Sequence, residues 1–203
     1  MNSTTRWSGT GLAMAGTLAL SGPAEAHTFG VLSADFFSGV AHPFSGIDHL
    51  LAMIAVGLWA TQLAERTEHA AALYLVPAAF VAMMAAGGYA AMNNIALPEV
   101  EAGILVSIVV LGLLIAASPR MPVLIGMLIA GGFALFHGHA HGSEVPDTTA
   151  AWFYIAGFVL ATALLHGIGV TLGLVLHGGR AGLVRRAGGA GIAAAGVALY
   201  ILG

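Results

Sequence analysis

Residues 102–118 read AGILVSIVVLGLLIAAS, a run of 17 positions without a charged side chain. Crossing the hydrocarbon of a bilayer takes about 17–25 residues of helix, so this stretch is long enough to span a membrane. The same composition recurs on both sides of it, at 44–64, 70–92, 121–138, 151–176 and 184–203. The connections are short, so neighbouring segments are expected to run antiparallel. No segment alternates as a strand would, and no internal repeat is evident.

The whole chain agrees with this reading. Of its 203 residues 59% are hydrophobic and 7% charged, with a mean hydropathy of +0.93. A soluble domain carries roughly 25% charged residues. The 29 glycines suit membrane helices, which approach one another through small residues. The expected fold class is an all-α membrane protein with six transmembrane helices after a cleaved N-terminal signal peptide.

That signal is read in residues 1–26. Arg6 supplies a positive start and Leu12 to Leu20 a short apolar stretch. Ser21, Gly22 and Pro23 break it, and Ala24-Glu25-Ala26 fits a small-x-small cleavage site. Cleavage leaves His27 as the mature N-terminus and 27–203 as a six-helix transmembrane domain. An uncleaved first helix is the other reading.

Arginine placement sets the orientation. With the N-terminus in the periplasm, the loops after the first, third and fifth spans hold Arg66, Arg120, Arg180, Arg185 and Arg186. The loops after the second and fourth hold Glu99, Glu101, Glu144 and Asp147 and no arginine. Cytoplasmic loops carry the positive residues of a bacterial inner-membrane protein. Trp59, Tyr74, Tyr89 and Trp152 fall near predicted span ends, where aromatic belts sit.

Composition also excludes. With no cysteine, disulfides and thiolate metal sites are ruled out. A net charge of −3 gives no footing for nucleic acid. There is no lysine, and the 9 histidines outnumber the arginines.

The polar residues inside the apolar segments carry the chemistry. In AHPFSGIDHLLAM, residues 41–53, His42, Asp48 and His49 stand at the start of the first span. A carboxylate at membrane depth costs about 2.5–3.5 kcal/mol on insertion scales, which implies a partner. Imidazole and carboxylate together suit divalent first-row metals. In a continuous helix His42 and His49 share a face but lie about 10 Å apart. One ion bridges them only if Pro43 and Gly46 bend or unwind the segment. Asp48, about 100° round from His49, could instead orient that histidine as a ligand.

The second constellation is FHGHAHGSE, residues 136–144. His137 and His141 have the i, i+4 spacing of one helical face, His139 lies between them, and Glu144 follows. Gly138 and Gly142 leave open whether the helix is regular there. At about 1.5 Å per residue from the cytoplasmic ends, His49 and His137 both lie about 21–23 Å up. Two distant segments thus bring ligands to one level. Deeper in the fifth span, His166 adds a middle step, and His177 marks the cytoplasmic end.

Blander readings stand beside these. A lone membrane histidine such as His166 can be a hydrogen-bonding strut between helices. His69 and His177 can be interfacial decoration. The histidine-rich tract can be a passive metal sponge. His27, whose α-amine and imidazole could chelate one ion together, would capture metal outside the membrane or do nothing.

H-P-F-S-G-I-D-H (His42 to His49) and F-H-G-H-A-H-G-S-E (Phe136 to Glu144) resemble the two signatures of the HupE/UreJ family of nickel permeases, H-x5-D-H and F-H-G-x-A-H-G-x-E. The resemblance covers the whole mature chain. It carries over His42, Asp48 and His49 from the first motif and His137, His141 and Glu144 from the second, with His139 in a variable slot. The larger nickel/cobalt permease family has a differently spaced H-x4-D-H. The resemblance implies uptake of Ni²⁺, with Co²⁺ also possible, in support of hydrogenase or urease maturation. The metal is then cargo, and no prosthetic group is expected.

Two other functions are weaker on the residues. An intramembrane metalloprotease needs H-E-x-x-H, which is absent. A bis-histidine haem protein leaves Asp48 and Glu144 unexplained. No G-x-x-x-x-G-K-[ST] loop is present, so ATP hydrolysis by this chain is not expected. The partners are a divalent metal ion and the lipid bilayer, and the oligomeric state is left open.

Overall fold

The computed structural model describes residues 35–145 and 151–202. Every regular element among them is helical. A helix over 35–41 runs into a 3₁₀ turn at His42–Phe44. Six long helices follow: α1 (Ile47–Thr67), α2 (Ala72–Met92), α3 (Val100–Ala117), α4 (Val123–Ser143), α5 (Ala151–Val175) and α6 (Gly179–Leu202). The expected signal segment, 1–26, and His27 lie outside the described residues.

Helices α1 to α5 are long and apolar enough to cross a membrane, which makes the chain a multi-pass membrane protein. In α6 the length suffices at 24 residues, but with Arg180, Arg185 and Arg186 it is not among the five helices both long and apolar enough to cross a membrane. Helix ends coincide with local breakers. Glu68 closes α1 at φ 61, Ser118 closes α3 at φ 55, and Pro122 leads into α4. Pro77 lies inside α2, a position membrane helices tolerate because neighbours re-satisfy the backbone.

Helix α1 is the axis. It packs against all five other long helices, and 61% of its apolar window is buried, against 22–39% in α2 to α5. The tightest pairs are α2 with α4, α3 with α6, and α1 with α5. Glycine makes these approaches possible. A Cβ on Gly138 of α4 would strike the Met84 carbonyl of α2, and one on Gly57 of α1 would strike the His166 carbonyl of α5.

One open point is decided and one expectation changes. The histidine-rich stretch is regular helix through Ser143. Gly138 and Gly142 serve contact with Met84 and Gly88, and backbone shielded from water has no better partner than its own helix. Trp59 is not a belt residue. It is 1% exposed at the centre of the core, whereas Tyr74, Tyr89 and Trp152 are 63%, 62% and 73% exposed near helix ends, as expected.

Arginines gather at one end of the bundle. Arg66 reaches Ser118 at 2.9 Å, Arg186 the Ala116 carbonyl at 2.7 Å, and Arg185 Glu65 at 2.6 Å. The histidine motifs stand at the opposite end of α1.

Candidate metal site

Pro43 lies in the 3₁₀ turn and Gly46 is extended at φ −107, ψ 122, so the chain unwinds between His42 and His49. This break lets both histidines reach one place. His141 of α4 receives them, its ring centroid 4.7 Å from His42 and 4.3 Å from His49. His137, one turn earlier on α4, has its ring 5.1 Å from His49. Sequence-distant segments therefore meet at one level, as the depth estimate expected.

At the mouth, Glu144 caps the end of α4. Its Oε2 lies 3.0 Å from His42 Nε2 and 3.6 Å from His141 Nδ1. One ligand atom from each of His42, His141 and Glu144 falls within 4.8 Å of the others. A cavity of about 280 Å³ opens beside them, lined also by Asp48, His49 and Glu101. Three or more nitrogen and oxygen donors at this spacing suit a divalent first-row ion.

Below the mouth, hydrogen bonds decide which ring nitrogens are free to bind. Asp48 Oδ1 lies 2.8 Å from His49 Nδ1. A carboxylate only accepts, so Nδ1 carries the proton and Nε2 keeps its lone pair. That Nε2 is buried without a hydrogen-bond partner among the described residues. Asp48 thus fixes the ring orientation and tautomer of His49.

His137 is held in the same manner by Ser107. The Ser107 hydroxyl donates to the Ile104 carbonyl at 2.6 Å, so its oxygen receives the proton of His137 Nε2 at 3.0 Å. His137 Nδ1 is left buried without a hydrogen-bond partner among the described residues. Both ring nitrogens of His141 likewise lack a hydrogen bond among the described residues, with the ring against Phe158 at 4.2 Å. Buried polar atoms ordinarily have hydrogen bonds, so several unpaired imidazole nitrogens in one cluster point to a ligand.

His166 stands further in. It is 2% exposed, and among the described residues neither ring nitrogen makes the hydrogen bond a strut would need. Phe80 separates it from the cluster, with its ring 5.0 Å from His166 and 5.6 Å from His137.

Not every candidate joins. His139 turns away, and its Nε2 lies 2.9 Å from the Ile95 carbonyl in the α2–α3 connection. Sequence reasoning passed over Ser107, Phe80 and Glu101. Serine and phenylalanine are ordinary in membrane helices, and only an acid at the very start of a span was a usable signal.

The sequence relationships agree with this geometry. The HupE / UreJ protein family matches residues 4–199. The chain belongs to the HupE / UreJ family. Protein HupE of Rhizobium leguminosarum bv. viciae is 43% identical over 184 residues, which cover 90% of this chain and 94% of that protein. No solved structure matches. All six residues carried over from the HupE/UreJ motifs, His42, Asp48, His49, His137, His141 and Glu144, stand in the one cluster just described.

Proposed function

We propose that this HupE / UreJ protein carries a divalent transition metal, Ni²⁺ first and Co²⁺ as well, inward across the bacterial inner membrane. The observation that supports it most is the set of ring nitrogens on His49, His137, His141 and His166 that lack a hydrogen bond among the described residues, which continues inward from a mouth of His42 and Glu144. Neutral imidazoles with few carboxylates bind such ions without thiolate. Graded steps let an ion exchange water for protein ligands in stages.

In this reading α6 is the sixth span, the N-terminus is periplasmic and the arginine end is cytoplasmic. The inside-negative potential then favours inward movement of a dication by about 4.6 kcal/mol per 100 mV, so neither ATP nor a catalytic step is required. The metal delivered supplies hydrogenase or urease maturation. His27, at the mature N-terminus, captures scarce metal outside the path.

Uptake of radiolabelled nickel and cobalt by cells expressing the chain tests the proposal. Uptake above a vector control is expected, and His49→Ala or His141→Ala should abolish it with the protein still present in membranes. A wild-type chain that inserts yet moves neither metal would overturn the reading.

A further inference from the structure

At the arginine end of the bundle, about 24 Å along α1 from His49 at 1.5 Å per residue, stands a second polar cluster. Glu65 of α1 accepts two hydrogen bonds from Arg185 of α6, at 2.7 Å to Oε1 and 2.6 Å to Oε2. His177, in the turn between α5 and α6, brings Nδ1 to 3.4 Å from Glu65 Oε1. One turn above, Gln62 is 1% exposed. Its Nε2 donates to the Ile115 carbonyl at 2.9 Å, while its Oε1 has no partner among the described residues. Gln62, Glu65 and Arg185 line a common cavity of about 360 Å³.

We propose that Glu65, His177 and the Gln62 side-chain oxygen form an inner binding site for a divalent cation, and that the Arg185 guanidinium stands in the cation's place in this structure. The proposal rests on the transport reading for its direction, but the site itself is argued from its own donors. A carboxylate, an imidazole and an amide oxygen make a nitrogen/oxygen set of the kind that takes divalent first-row ions.

Arg185 is an incomplete tenant. It is 5% exposed, donates a further bond to the Gly173 carbonyl at 3.2 Å, and leaves Nε buried without a hydrogen bond among the described residues. A buried ion pair seldom adds net stability, because desolvation offsets its attraction. A guanidinium that leaves when a dication arrives gives this pair a use. Gly178, in the α5–α6 connection, and Gly179, the first residue of α6, have φ 66 and φ 47 with nothing within 4 Å of where a Cβ would lie. Arg66 and Arg186 line the same cavity. Their charges keep the site weak, which suits release.

Equilibrium dialysis of purified protein against radiolabelled Ni²⁺ tests the site apart from transport. The outer cluster is disabled with His49→Ala and His141→Ala. In that background Arg185→Met should add one bound ion per chain, and adding Glu65→Gln should remove it again. No gain with Arg185→Met in protein that keeps its helical circular dichroism would overturn the proposal. Should Arg185→Met fail to fold, the pair Glu65→Gln with Arg185→Gln removes both charges while keeping hydrogen-bonding groups. That double variant should insert yet lose uptake by about tenfold or more, and wild-type uptake would also overturn the proposal. An inner ion found by dialysis in a chain that transports nothing would uphold this site and sink the transport reading.

Discussion

Asp48 Oδ1 lies 2.8 Å from Nδ1 of His49 and also receives the His49 backbone N–H at 2.9 Å. One carboxylate oxygen therefore fixes both the position and the proton of the residue that follows it, and presents His49 Nε2 to the cluster. Removing such an orienting partner costs about 10–100-fold in metal affinity. Asp48→Asn should raise the metal concentration needed for half-maximal uptake by that order while easing insertion. Unchanged concentration dependence would mean that Asp48 does not act through His49.

The histidines of the second motif should separate sharply. His139 donates to a loop carbonyl, whereas His141 has its ring against those of His42 and His49. His139→Ala should cost about 0.5–1.5 kcal/mol of stability and leave uptake within about twofold. His141→Ala should reduce uptake to background in matched membrane preparations. Equal losses would make the tract a diffuse metal sponge.

Helix approach gives a prediction about assembly. A Cβ on Gly138 meets the Met84 backbone, while one on Gly132 meets nothing within 4 Å. Gly138→Ala should destabilise the α2–α4 pair by about 1–3 kcal/mol, the usual cost of overpacking, and Gly132→Ala should be close to neutral. Thermal stability in detergent compares the two, and a neutral Gly138→Ala would mean that α2 and α4 lie further apart.

Orientation is checked with reporter fusions. A fusion after Val145 should report the periplasm, and fusions after Glu68 and Gly178 the cytoplasm, because the arginines cluster at the latter end. A periplasmic report at Leu202 would establish α6 as a sixth span. A cytoplasmic one would leave α6 on the inner face with five spans.

By itself the sequence determined the helical membrane class and the residues rich in chemistry. A span must satisfy its backbone internally, so length and hydropathy in one local window are enough to find it. AGILVSIVVLGLLIAAS needed no neighbour to be read, and the i, i+4 pair His137 and His141 shares a face by helix geometry alone. Tertiary structure decided which faces turn inward. Lipid tails are as apolar as a helix interface, so packing between membrane helices leaves little periodic mark on the sequence. For that reason Trp59 read as a belt residue and proved to be core. Ser107 gave no sign that it holds His137, 30 positions away. Glu65 gave none that it meets Arg185 across 120 positions.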